Sequence, residues 1–253
     1  MSKTEEHART LAGLADPEPY LLEHSGLPGP RGNIELAQAA ADVRSATELR
    51  QWAALDAGAA PTGTADEFLS FCGVVGLGRL LAEGDAGALA EPRPHAGDSR
   101  WRVREAVAMA VQRWAVVDFD AALAAMRDWA GGSWLERRGA AAGLCEPVLL
   151  TDAERVRAVL AVLAEATAGV TGADAEQRHS DEFKALRKGL GYCWSVAVAA
   201  APELGRPVFE ALVDEAESSG DRDLRWVVRE NLRKRRLERA DARWVAALRD
   251  RVG

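Results

Sequence analysis

Residues 98–114, DSRWRVREAVAMAVQRW, decide the fold class of this chain. At about 100° per residue, offsets of four, seven and eleven return to nearly one angle, so Val103, Val107, Ala110 and Trp114 form one stripe that should be buried. Asp98 or Ser99 is placed to cap that helix, because a short side-chain oxygen accepts from a first-turn amide that has no partner within the helix. Pieces of the stretch recur downstream. Asp98, Trp101 and Arg104 are matched by Asp223, Trp226 and Arg229 in DRDLRWVVREN, while Asp181 and Arg187 in DEFKALRKG keep the same interval. Trp134 and Arg137 in GGSWLERRGAA keep the tryptophan-to-arginine spacing, with Gly131 in the aspartate's place. A helical unit that repeats predicts an all-α chain. No segment shows a sustained period of two with β-branched residues, so no sheet is expected.

Composition points the same way. Alanine and leucine dominate, 48% of the 253 residues are apolar, and only 6% are aromatic. Eight of the fifteen aromatic residues are tryptophan, and each buried indole has to find an acceptor for its N–H. The formal net charge of −7 argues against a general nucleic-acid binder, although a local basic patch can still attract a polyanion. Cys72, Cys145 and Cys193 lie far apart without a CxxC pair, which suits reduced thiols acting as small apolar fillers. The N-terminal MSKTEEHARTLAG does not read as a signal peptide, and the longest nearly uncharged run, residues 189–202, is shorter than a membrane span. These features predict a soluble, cytoplasmic protein.

Along the chain, residues 1–33 read as an irregular lead-in broken by Pro17, Pro19, Pro28 and Pro30. Its glycine-rich SGLPGPRGN invites comparison with a phosphate loop, but there is no preceding strand and no GK[ST] sequel. A tight turn with Asn33 capping a helix from Ile34 is the reading adopted. Helices are expected near 34–43, 46–56 and 65–81, the last capped by Thr64 with Glu67 three residues on. Gly73, Gly76 and Gly78 within it read as points of close helix packing. Further helices are expected at 118–129, 134–145, 152–166, 181–200, 202–217, 223–239 and 241–251, with 169–180 as a flexible insertion. Residues 1–64 are thus taken as a lead-in with short helices packed on an array that occupies 65–253.

An aspartate, five residues, an arginine and then an alanine-rich helix resembles the second half of a HEAT repeat, over residues 65–251 in four unequal units. The resemblance implies a right-handed α-solenoid of antiparallel helix pairs. It also implies that Asp98, Arg104, Asp181, Arg187, Asp223 and Arg229 form a ladder between neighbouring units, broken at Arg137 by Gly131. Solenoid units hide their apolar faces only against one another, so such lateral ties fix the stacking. A narrower stretch, residues 183–213, is similar to part of the HEAT-like DNA glycosylases that excise alkylated purines. That resemblance implies a basic groove lined by tryptophans and an acid. Tyr192 falls where one groove tryptophan stands, and the family's Trp-Trp-Asp-x-x-Asp run is absent.

Two regions carry candidate binding residues. Arg222, Arg225, Arg229, Arg233 and Arg236 follow at intervals of three and four and should share one stripe; residues 221–239 hold eight basic and four acidic residues. On the 181–200 helix, Lys184, Arg187, Gly191, Trp194 and Ser195 share a face. Gly191 there leaves either a gap for a planar or anionic ligand or a seat for a neighbouring helix, in which case Trp194 belongs to the core. The site residues put forward are Lys184, Tyr192, Trp194, Arg225, Arg233 and Arg236. His7, His24, His95 and His179 are scattered, HExxH and GxSxG are missing, and neither metal nor cofactor is expected. The expectation is a non-enzymatic scaffold that binds another protein, or an acidic or phosphate-bearing ligand; the alternative is a base-excision enzyme acting on DNA.

Overall fold

The computed structural model describes residues 2–252, which gather into two compact units, 2–118 and 119–252. Among these residues there are sixteen α-helices and no strand, so the chain is all-α as the periodicity predicts. No helix among them is long and apolar enough to cross a membrane.

The first unit is built around α5 (Asp66–Ala82), in which every residue from Glu67 to Gly78 is buried. A helix apolar all round needs neighbours on every side. They are α3 (Ile34–Val43), α4 (Ala46–Ala53) and α7 (Trp101–Val117), with α1 (Lys3–Ala12) laid on α3 and α2 (Glu18–Glu23) also touching α5. The glycines set these approaches. A Cβ on Gly73 would lie 2.2 Å from the Ala53 amide nitrogen, and one on Gly78 would lie 2.3 Å from the Ala110 carbonyl oxygen. The stripe Val103, Val107, Ala110 and Trp114 is buried, as its spacing requires.

Several local expectations are corrected. The lead-in, irregular over 24–33, carries two short helices, α1 and α2, with Ser2 and Glu5 forming a capping box on α1. Thr64 does not cap α5: its hydroxyl donates to Pro61 O, and Glu67 turns back to accept from the Gly63 amide and from Arg102. Nor does an Asp98 or Ser99 side chain cap α7, because the Asp98 carboxylate is taken by Arg100. That arginine, 1% exposed, also donates to the carbonyls of Leu55, Asp56 and Ala60. Asn33 caps α3, accepting from the Leu36 amide.

The second unit is centred on α12 (Asp181–Ala200). It packs against α9 (Trp134–Leu144), α10 (Ala153–Thr167), α13 (Pro202–Ser219), α14 (Arg222–Leu232) and α15 (Arg235–Ala240). α8 (Phe119–Ala130) lies on α9 and α10, and α16 (Ala242–Val252) on α14 and α15. Two of its indoles find side-chain acceptors: Trp194 donates to Thr167 Oγ1 and Trp244 to Glu210 Oε1. Residues 169–180, expected as a flexible insertion, carry the short helix α11 (Ala175–His179). From it Arg178 reaches Asp221 and Asp223, each at 2.7 Å.

The helix expected over 223–239 breaks at Arg233 and Lys234 into α14 and α15. Lys234 takes an extended ψ of 122°, and the Leu232 carbonyl at the break accepts from Arg249 Nη2 at 2.7 Å. The five arginines therefore do not form one continuous stripe; Arg236 belongs to a separate helix.

Candidate surface on α12 and α15

Helical spacing places Lys184, Lys188 and Tyr192 on one edge of α12, four residues apart, and all three are exposed. Lys184 meets Asp181 at 3.4 Å, a contact between two solvated side chains. Lys188 has no carboxylate partner among the described residues. Tyr192 is 47% exposed, a high value for a ring of that size.

The break before α15 brings Arg236 over this tyrosine. Its guanidinium carbon lies 4.4 Å from the ring centroid, and its Nη2 donates to the phenolic oxygen at 2.7 Å. The other terminal nitrogen, Nη1, is buried without an acceptor. The cation is thus fixed in place while part of its hydrogen-bonding capacity stays unused. Arg235 and Arg239, also on α15, are exposed and have no carboxylate partner among the described residues.

The six residues singled out from the sequence are distributed unevenly. Tyr192 and Arg236 come together, Lys184 stands on the same edge two helical steps away, and Arg233, with a 71% exposed side chain, is paired to Glu230. Arg225 is half-buried and donates to Ala216 O at 3.1 Å, which ties α14 to α13. Trp194 is a correction: at 1% exposure it is packed in the core, its ring 6.1 Å from Phe209, and it offers no face to a ligand. Lys188 was missed by the sequence reading, although its position four residues from both Lys184 and Tyr192 was the available signal.

Next to this edge lies a satisfied one. Arg187 pairs with Asp223 and lies 4.5 Å from the Trp226 ring centroid. The gap at Gly191 is filled: a Cβ there would lie 2.9 Å from Trp226 Cζ3 and 3.2 Å from Glu230 Cβ. Burial works against the charge on Asp223, but the hydrogen bonds from Arg178 and Arg187 outweigh it and hold the carboxyl below its ordinary value. Of the expected ladder, Arg187 to Asp223 is present. Arg104 donates to the carbonyls of Asp98 and Ser99, Arg229 to that of Val252, and Arg137 to those of Gly131, Gly132 and Glu165.

All three cysteines are free and buried. Burial, with a contact to Cys193, pushes the Cys145 thiol well above its ordinary value. A thiol held protonated in this way is a poor nucleophile and packs as an apolar side chain. No group of three or more His, Cys, Asp or Glu side chains among the described residues is placed to hold a metal ion.

Compared with known proteins, the chain matches no family model, no curated sequence and no solved structure.

Proposed function

We propose that this chain is a non-enzymatic, HEAT-like repeat protein, a right-handed α-solenoid of antiparallel helix pairs, which docks an acidic segment of another protein on the α12 and α15 edge. The observation that carries this reading is the exposed Tyr192 held under Arg236, with Lys188 and Arg235 nearby in sequence and without a carboxylate partner among the described residues. A fixed aromatic ring beside a guanidinium covers apolar area at small entropic cost and takes a carboxylate in a defined geometry; such residues dominate binding energy at interfaces. Unpaired cations around them draw an acidic segment in, even on a chain whose net charge is −7. The Arg187 to Asp223 pair, 36 residues apart, supports the repeat reading as a rung between successive units.

The test is fluorescence anisotropy of the folded chain with a labelled glutamate-rich peptide, at two salt concentrations. Salt-sensitive binding that drops about tenfold in Tyr192→Ala supports the reading. Binding that ignores both salt and Tyr192 overturns it. A duplex carrying an alkylated purine serves as the second arm: preferred binding to it, or release of the base, replaces the scaffold reading with the repair one.

A further inference from the structure

On the inner side of the Tyr192 and Arg236 contact, two thiols meet. Cys145 is the C-cap residue of α9, where the chain leaves the helix for the short turn Pro147–Leu149. Cys193 belongs to α12, which packs against α9 and against that turn. Adjacent positions on a helix point about 100° apart, so Tyr192 faces solvent while Cys193 turns inward. There its side chain interacts directly with that of Cys145, so that two residues far apart in sequence share one buried contact. The thiols are 5% and 2% exposed, and neither is in a disulfide. Cys72, in α5, is fully buried, and neither a thiol nor a charged side chain acts on it.

Arg236 straddles the boundary between this pair and the surface. Its Nη2 donates to the Tyr192 phenolic oxygen at 2.7 Å on the outer side, while its Nη1 is buried and has no acceptor. The charge also reaches Cys145, where it favours the ionised sulfur against the larger opposing effects of burial and of the Cys193 contact. A neutral thiol is a weak acceptor for such a donor, whereas a thiolate is a strong one. The orphaned N–H is therefore matched to an anion that forms only when Cys145 reacts. A lone buried thiol would need no such donor, and two thiols in contact supply both halves of a disulfide.

We propose that Cys145 and Cys193 are an oxidation-sensitive dithiol that a hydroperoxide converts to a disulfide, Cys145 attacking and Cys193 resolving. With hydrogen peroxide, the Cys145 sulfur gives up its proton and attacks one peroxide oxygen. The S–O bond forms as the O–O bond breaks, and the departing hydroxide takes the proton and leaves as water. The Cys193 sulfur then attacks the sulfur of the sulfenic acid. The S–S bond forms, the S–O bond breaks, and hydroxide leaves with the Cys193 proton as a second water. Two thiols lose two electrons and two protons, and one peroxide is reduced to two waters. Arg236 is a positioning residue that stabilises the transient Cys145 thiolate. Burial holds Cys145 protonated at rest, so the pair reacts slowly and answers sustained oxidant rather than traces of it.

The test is mass spectrometry of the folded full chain after exposure to hydrogen peroxide, with remaining thiols alkylated in denaturant. Cys145 and Cys193 are expected to escape alkylation and to be recovered as one cross-linked peptide, lighter by two hydrogens and released by dithiothreitol, while Cys72 is alkylated. In Cys193→Ala the reaction stops at a sulfenic acid on Cys145, which dimedone captures. Arg236→Gln slows disulfide closure about tenfold and Arg236→Lys restores most of the rate. A merely structural loss at Arg236 would loosen the packing and speed closure instead. No peptide enters the measurement, so its failure and that of the docking surface are distinguishable, and the wild-type result stands even if a variant folds poorly. Three alkylated thiols after peroxide, consumption of Cys72 at the same rate as the pair, or disulfides only between chains overturn the assignment. Faster closure in Arg236→Gln overturns the role given to the guanidinium.

Discussion

Two edges of α12 lie one residue apart in sequence and have opposite fates. Arg187, Gly191 and Trp194 are covered by α14 and the core, and the arginine is committed to Asp223 and Trp226. Lys184, Lys188 and Tyr192 face solvent, and what they bind within the chain is slight. Composition does not separate the edges, since each mixes cations with an aromatic ring. What separates them is whether a neighbouring helix arrives with an acid at the right height. A cation that meets a buried carboxylate becomes structure, and one that meets water stays available.

That contrast is broken most severely at Asp223. The carboxylate, 3% exposed, receives Arg178 from α11 and Arg187 from α12. Asp223→Asn leaves Arg187 without its carboxylate and Arg178 with Asp221 alone, at a cost of about 3 kcal/mol. In a chain of this length that lowers the thermal midpoint by about 6 to 12 °C, read from a circular-dichroism melt. The pH dependence follows from the direction of the shift. A carboxyl held below its ordinary value stabilises the fold above about pH 4, and the contribution is lost as pH falls through that value toward the lower folded one. The gap between wild type and Asp223→Asn should therefore narrow as pH is lowered from about 5 to about 3. A gap constant across that range would show that the pairing carries no weight.

Gly191→Leu attacks the same edge by volume. The new side chain has to displace Trp226 and the Glu230 stem, which sit within 3.3 Å of where its Cβ would stand. A loss of about 2 kcal/mol is expected, as for other overpacked interfaces, measured by urea unfolding. A neutral result would mean that α14 rides loosely on α12.

How much of this was legible beforehand varies with the physics. The extents of α3, α5 and α12 followed from periodicity and flanking residues, because the apolar stripe is written into the helix itself. The ladder was legible only as spacing. Arg104 and Arg229 stand where the repeat puts them, but the carbonyls they donate to, of Asp98, Ser99 and Val252, are set by the backbone around each. The break at Lys234 was invisible, since no glycine or proline marks it and its freed carbonyl is satisfied from α16 by Arg249. Yet that break decides the surface by turning Arg236 onto Tyr192. The burial of Trp194 was equally a matter of neighbours, Thr167 and Phe209, that no local pattern announces.

On the open edge, stability should hardly respond. Tyr192→Ala removes a half-exposed ring and its contact with Arg236, and it is expected to cost about 0.5 kcal/mol while weakening an acidic peptide about tenfold. A large loss of stability would make the pair structural and move it to the other side of the contrast.

The smallest effect is the most discriminating in sign. Asp181, with a 97% exposed side chain, meets Lys184 across 3.4 Å, so the pair contributes almost nothing to stability. Its effect on a partner is a matter of field rather than contact: the aspartate offsets a lysine on the edge proposed to receive an acidic segment. Asp181→Asn should leave the melting curve unchanged and tighten the glutamate-rich peptide about twofold at low salt, the gain fading as salt is raised. Lys184→Ala should do the opposite by a similar factor. If both substitutions shift affinity in the same direction, the edge is not reading charge, and only the Tyr192 and Arg236 contact remains to explain any binding.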